Sequence, residues 1–357
     1  RRDEDLAFWR RRLDPLPDEL RLPLEQPGRA GSGHGRLMER TLRPSVQAGI
    51  RNLATAAGAT PFMVFAFAFR LLLHRYTEGQ RVAFATPVST RAHPATAEMI
   101  GYFLNPLVIA TSVDEEQRVG EGVDHFCAEL KALLAHASLP FDVLAAGLSP
   151  HRHADRHPVF QVMFVYQEAG AAPVLGDASL EPITLDLGAS KFDLTLFVTE
   201  DHGALRTAVE FRADRFDEAW MRGLLGHYEA LLEHLPADRE RRLREVPMLD
   251  AAEARRVSAW ERGPRLDGPE IDLLPTQVIG QARRQPRVPA VICAGIDLSY
   301  GDLEAAATRI ADALLAGGVT PGGRVGIFVD RSTQMIASVV GSHLAGAAYV
   351  PMDPSYP

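Results

Sequence analysis

The residues most able to do chemistry crowd into one short run, His151-Arg-His153-Ala-Asp155-Arg-His157. Neutral imidazoles and a carboxylate so placed could hold zinc and sharpen a bound water into a hydrolytic nucleophile. Arg156, however, adds one residue between the aspartate and the last histidine, and Pro150 and Pro158 bracket the run. The run therefore reads first as a solvated loop ahead of a strand, with a zinc-dependent hydrolase as the competing reading. No G-x-S-x-G elbow, H-E-x-x-H pair or G-x-x-x-x-G-K-[ST] phosphate loop occurs anywhere in the chain. Gly318, Gly322 and Gly323 lie between a helix and a strand, where they make a turn rather than a dinucleotide site. The two cysteines, Cys127 and Cys293, are far apart and in apolar surroundings, which fits a reducing compartment without a disulfide framework.

These groups need elements to position them, and 357 residues allow two domains with separate cores. A net charge of -8 argues against a nucleic-acid binder, which carries a basic face. The charged N-terminus, Arg1 to Arg12, lacks the apolar core of a signal peptide. The most apolar stretch, Pro61 to Leu73, is interrupted by Arg70 and is too short to span a bilayer. It reads as a buried helix capped by Thr60, with Pro61 at its first position. Another helix is expected from Pro44, and an amphipathic one over Glu115 to His136. Strands are expected at Arg81 to Val88, Leu107 to Thr111 and Val159 to Gln167, the last central. Phe192 to Thr199 and Leu205 to Arg212 read as a hairpin. The first domain thus mixes helices with a largely antiparallel sheet. Pro236 to Pro275 has linker composition, with one short helix near Glu253 to Trp260. Beyond Val288, strands at Ala290 to Cys293 and Arg324 to Asp330, and one ending at Pro351, alternate with helices at Tyr300 to Ala316 and Thr333 to Leu344. That alternation suggests a parallel α/β domain, and both chain ends read as cut.

Five segments of the first domain resemble the condensation-domain family of non-ribosomal peptide synthetases. Ala85-Thr-Pro-Val-Ser-Thr-Arg91 resembles its G-x-P-V-x-x-R strand end, and Ile100-Gly-Tyr-Phe-Leu-Asn105-Pro its I-G-x-F-V-N-T. His136-Ala-Ser-Leu-Pro-Phe-Asp142 resembles H-Q-D-x-P-F-E. Asp155-Arg-His-Pro-Val-Phe-Gln-Val-Met-Phe-Val165 resembles S-R-N-P-L-F-Q-V-M-F, which puts His157 where that family usually has asparagine. Lys191-Phe-Asp-Leu194 matches its K-F-D-L strand. The departures are Pro106 for threonine, and Ala137 and Ser138 for glutamine and aspartate. The C-terminal part resembles an adenylation domain: Leu298-Ser-Tyr-Gly-Asp-Leu303 is similar to L-T-Y-x-E-L, and Leu344 to Pro357 to K-A-G-x-A-Y-V-P-L-D-P-x-Y-P, with Leu344 in place of the lysine.

The resemblance implies an α/β fold of the α+β kind. Residues 1–246 would form the C-terminal lobe of a chloramphenicol-acetyltransferase-like condensation domain, 247–267 a linker, and 268–357 a truncated α/β N-terminal part of an adenylate-forming domain. It implies amide-bond formation between a donor and an aminoacyl acceptor, both carried as phosphopantetheine thioesters on upstream and downstream peptidyl carrier proteins. The adjoining domain would activate an amino acid with ATP and Mg. The family's H-H-x-x-x-D-G base is absent, since no His-His pair occurs. This segment by itself is therefore expected to catalyse neither step and to bind no cofactor or metal of its own. The N-terminal lobe and the rest of the adenylation domain would be supplied in cis, in the cytoplasm, with no membrane or nucleic-acid partner. Thr86, Ser89 and Asn105 are the expected tunnel-facing residues, and Arg91 the expected carrier-docking residue. A non-catalytic scaffold that positions carriers is the alternative to an enzyme piece.

Overall fold

The computed structural model describes residues 2–16, 20–23, 33–77, 81–91, 93–148, 157, 159–168, 185–201, 203–263 and 273–355. They belong to two compact units, Arg1–Arg262 and Gly263–Pro357. The first runs α1 (Arg2–Leu13), β1 (Gly35–Thr41), α2 (Pro44–Ala56), α3 (Pro61–Tyr76), β2 (Val82–Ser89), β3 (Leu104–Thr111), α4 (Val119–Leu134), α5 (Phe141–Leu148), β4 (Val162–Glu168), β5 (Leu194–Asp201), β6 (Ala204–Arg212), α6 (Glu218–His234) and α7 (Ala251–Arg262).

Helix α3 organises this unit. Pro61 opens it and the Thr60 hydroxyl accepts from the Met63 N–H, the cap expected from sequence. Every residue from Met63 to His74 is buried, so the helix is enclosed on all sides. It packs against α2, α4 and α6 and against strands β2 and β4. Tyr228 of α6 donates its hydroxyl to the Phe65 carbonyl at 3.0 Å, which satisfies the phenol in the core.

The sheet order is β1-β6-β5-β4-β2-β3. Its outer pairs, β1/β6, β6/β5 and β2/β3, are antiparallel, whereas β4 lies parallel to both β5 and β2. The sheet is therefore mixed rather than largely antiparallel. Strand β4 is interior, as expected, and its Phe164 is fully buried. Long connections enter and leave β4, which frees it from the hairpin geometry that enforces antiparallel pairing.

The linker-like composition after Pro236 misleads for its first part. Leu235, Leu243 and Val246 are buried, and Arg75 of α3 donates to the carbonyls of Leu243 (2.5 Å) and Val246 (2.7 Å) while pairing with Glu115 (3.0 Å). Composition averages over a window, whereas a few well-spaced apolar residues suffice to pin a strap to a core. Helix α7 buries none of its residues. A polar relay joins it to the core: Tyr76 Oη lies 2.6 Å from His227 Nδ1, and His227 Nε2 lies 2.8 Å from Glu253. The tautomer that satisfies both contacts has Tyr76 donating to Nδ1 and Nε2–H donating to the carboxylate. Burial, then the Glu253 charge, push the Tyr76 hydroxyl well up, which keeps it a donor. Glu253→Ala is expected to release α7 at a cost of about 1.5 kcal/mol, typical of a hydrogen bond to a charged group. Hydrogen exchange should quicken roughly tenfold over 251–262 and stay unchanged in α3.

The second unit runs α8 (Leu274–Arg284), β7 (Pro289–Cys293), β8 (Ile296–Ser299), α9 (Tyr300–Ala316), β9 (Arg324–Phe328), α10 (Thr333–Leu344) and β10 (Ala348–Met352). Strands β9 and β10 are parallel, the expected α/β alternation. Ser299 and Ser332 cap α9 and α10 by accepting from the N–H groups of Asp302 and Met335. The β7/β8 hairpin was not anticipated. It turns through Ala294 (φ 51°) and Gly295 (φ 77°), and alanine is not a residue that announces a left-handed turn position. Among the described residues, no single helix is long and apolar enough to cross a membrane.

Candidate functional site

The candidate residues gather at one end of the β2/β3 ladder, where Val88 faces Asn105 and Ser89 faces Leu104. Side chains alternate along a strand, so Thr86, Val88 and Asn105 share one face of the pair while Ser89 lies on the other. Thr86 is buried at 1% exposure, and Ser89 is exposed.

Asn105 has every conventional hydrogen-bonding direction of its amide engaged except one. Its Nδ2 donates to the carbonyls of Ala137 (3.0 Å) and Leu139 (2.8 Å), and its Oδ1 accepts from the Phe141 N–H (2.9 Å). It thereby holds the turn that starts α5. Helix α1 grips the same turn from the other side. Trp9 donates to the His136 carbonyl at 3.1 Å, the largely buried Asp5 carboxylate meets His136 Nδ1 at 2.5 Å, and Phe8 stacks on the imidazole at 3.9 Å. The Asp5–His136 pairing escaped sequence reasoning because its members are 131 residues apart.

Arg91 is committed to its own loop. Its guanidinium donates to the carbonyls of Thr96 and of Met99 (2.8 Å) and lies 4.1 Å over the Phe103 ring. Thr90 closes the loop neck, donating from N–H and hydroxyl to the Phe103 carbonyl at 2.8 and 3.0 Å. This clamp presents Ile100 and Tyr102 fully to solvent.

His151, His153, Asp155 and Arg156 lie outside the described residues. His157 is turned into an aromatic cluster with Phe141, Phe160 and Phe192 at ring distances of 5.3, 4.1 and 5.8 Å. Its Nδ1 accepts from the Phe160 N–H at 3.4 Å. Gln161 ties this cluster down: Nε2 donates to the His157 carbonyl (3.0 Å), and Oε1 accepts from the Leu20 N–H (3.1 Å). An amide inside an otherwise apolar strand run was the available signal for that hub. Among the described residues, no group of three or more His, Cys, Asp or Glu side chains could hold a metal ion.

Burial favours the neutral imidazole and lowers the His157 pKa, and the same holds for His74. The unfolded chain then takes up protons first as pH falls below the ordinary histidine value near 6.5. Stability is therefore full above that value and is lost as pH drops towards the depressed folded pKa. His157→Asn keeps an acceptor for Phe160 but removes the titration. Denaturant midpoints at pH 7.5 and 5.0 should differ less in this variant than in the parent, with the His74 contribution left over.

In the second unit, the glycine turn spends its N–H groups internally: Gly322 donates to the Gly346 carbonyl at 2.8 Å and Gly323 to the Thr320 carbonyl at 2.9 Å. These residues do not fit a nucleotide phosphate, which needs such groups free.

The mixed sheet backed by helices, followed by a separate α/β unit, defines the class of protein. A family model described as "Condensation domain" matches residues 1–257, and one described as "AMP-binding enzyme" matches residues 279–357. The chain belongs to the condensation-domain family and continues into the start of an AMP-binding domain. It is 33% identical to a linear gramicidin synthase of Brevibacillus parabrevis over 99% of this chain and 7% of that protein. It is 30% identical to the dimodular nonribosomal peptide synthase of Bacillus subtilis over 99% of this chain and 15% of that protein. The crystal structure of a four-domain nonribosomal peptide synthetase bound to AMP and glycine matches 99% of this chain and 28% of its own, with 26% identity and a TM-score of 0.68. The chain spans between 5% and 15% of the length of the curated relatives.

Proposed function

We propose that this chain supplies the acceptor-side lobe of a condensation domain and the opening of an adenylation domain in a nonribosomal peptide synthetase. The complete assembly would join a carrier-bound donor thioester to a carrier-bound aminoacyl amine, both on phosphopantetheine arms, and activate an amino acid with ATP and Mg. The observation that supports this most is the order of the two family matches on one chain, condensation then AMP-binding. Boundaries near residues 246 and 268 suit this role, with α7 a helix of the connecting stretch that the His227–Glu253 contact anchors.

The roles proposed for this chain's residues are those of a wall. Ser89 provides an exposed hydroxyl near a pantetheine path at the ends of β2 and β3, whereas Thr86, buried on the opposite face, supports that wall from within. Asn105 acts through the turn it holds, and Arg91 shapes the loop that meets an incoming carrier, so its docking contribution is one of positioning. The attacking amine needs a general base from an H-H-x-x-x-D-G motif, which this sequence lacks. Partners in this reading are the carriers on either side and the remaining lobe and adenylation residues in cis, and the setting is cytoplasmic.

The test joins this chain to an N-terminal lobe that carries H-H-x-x-x-D-G and supplies two loaded carriers. Mass spectrometry should find dipeptidyl thioester with the joined protein and none with the chain alone. A joined protein that folds and binds both carriers yet forms no amide would overturn the catalytic reading in favour of a docking scaffold.

A further inference from the structure

At the other end of β2 and β3, roughly 23 Å of strand away from Ser89, a cavity of about 330 Å³ opens between α1, α3, α4 and the end of β3. Three guanidiniums line it, those of Arg12, Arg70 and Arg81, against two carboxylates, Glu129 and Asp114. Arg70 rises from α3 with its side chain only 5% exposed, flanked by the rings of Phe67 and Phe126 at 5.4 and 5.0 Å. Among the described residues, its Nε has no hydrogen-bond partner, and neither does the buried Nε of Arg12. Glu129 serves two guanidiniums at once. It contacts Arg12, stands 3.6 Å from Arg70, and also accepts from the Thr111 hydroxyl at 2.9 Å. Among the described residues, Arg81 meets main-chain acceptors, the carbonyls of Arg12 and of Pro15 (3.0 Å). Asp114 accepts from the Glu116 N–H at 3.0 Å.

Donors therefore outnumber acceptors here, and the formal charge is positive: three cations against two anions. A buried guanidinium with an unmet N–H is costly unless an acceptor completes it, and an anion completes it most strongly. The geometry points to an oxyanion site, in which Arg12, Arg70 and Arg81 bind a small phosphate-bearing ligand. A tetrahedral dianion offers acceptors in several directions at once, which suits guanidinium forks from three separate elements, whereas a single planar carboxylate engages fewer of them. The volume leaves room for more than one phosphoryl group. Burial and the neighbouring Arg81 charge lower the Arg12 pKa, the strain that a bound anion would relieve. The site does not depend on the tunnel residues, so it stands whether or not amide formation is the activity.

Thermal unfolding of the full chain at constant ionic strength tests this, with inorganic phosphate or pyrophosphate replacing chloride. Phosphate and pyrophosphate should raise the midpoint, and citrate should not. A concentration one hundred times the Kd stabilises by about 2.7 kcal/mol, which reads as several degrees. Arg81→Gln, whose contacts are to main-chain carbonyls, should fold and weaken binding at least tenfold, and Arg70→Met should abolish it. If Arg70→Met does not fold, Arg81→Gln decides alone. An unchanged midpoint with both phosphates, an equal rise with citrate, or an undiminished rise in Arg81→Gln would each overturn the proposal.

Discussion

Asn105→Ala is expected to destabilise the first unit by about 3 kcal/mol, because it leaves two carbonyls and one N–H of a packed turn without their partner. Those groups belong to Ala137, Leu139 and Phe141, and Leu139 is buried at 4% exposure, so water replaces the amide only in part. Asn105→Asp discriminates between general loss and this geometry. It keeps an acceptor for Phe141 but turns the donor that faced two carbonyls into an oxygen, so it should be at least as damaging as alanine at neutral pH. Urea unfolding followed by tryptophan fluorescence reads the effect directly, since Trp9 bonds to the same turn. In a protein with the other lobe joined, both variants should also slow dipeptide formation under conditions where they remain folded. Parent-like stability in Asn105→Ala would show that the turn holds itself and that the amide is free for another role.

Gly341→Val is expected to unfold the second unit while leaving the first intact. A Cβ at position 341 of α10 would stand 2.8 Å from the Ala307 carbonyl oxygen and 2.8 Å from Ile310 Cβ and Cγ2 of α9. Main chain and a β-branched stem yield little, so the helices must separate. Overpacking of this kind costs about 1–3 kcal/mol for a single methyl and more for valine. Alanine carries the same Cβ and meets the same contacts, offset by about 1 kcal/mol of helix propensity, so it should destabilise the unit less than valine, whose two added methyls have no space. Limited proteolysis should cut the valine variant within 300–344 and spare residues up to 262. Resistance equal to the parent would mean that α9 and α10 pack less closely than the distances show.

The legible parts of the fold were those with local causes. Pro44 and Pro61 start α2 and α3, Thr60 caps the latter, and the near-unbroken apolar run of α3 foretold its burial. Motif order along the chain was enough to indicate the family, because strings such as Val159 to Val165 are long and specific. The β7/β8 hairpin was missed because Ala294 occupies a left-handed position without advertising it. The strap over 235–246 was missed because its anchors are backbone carbonyls accepting from Arg75, more than 160 residues earlier in the chain. The strand expected from Leu107 starts earlier, at Leu104, which brings Asn105 into the β2/β3 ladder, and only the register separates Ser89 from Thr86 and Asn105.

By itself, the sequence determined the strongly patterned elements, such as α2, α3 and the β5/β6 hairpin, and the family, because capping, periodicity and motif identity are properties of neighbouring residues; β1, α5, α8 and β8 lay outside its expectations. The tertiary structure alone decided that β4 runs parallel to both its neighbours, that Asn105 is committed to the turn before α5, and that Arg12, Arg70 and Arg81 converge on one cavity. Each of these depends on where distant chain segments meet, and long connections of variable path leave no local trace of that meeting in the residues they join.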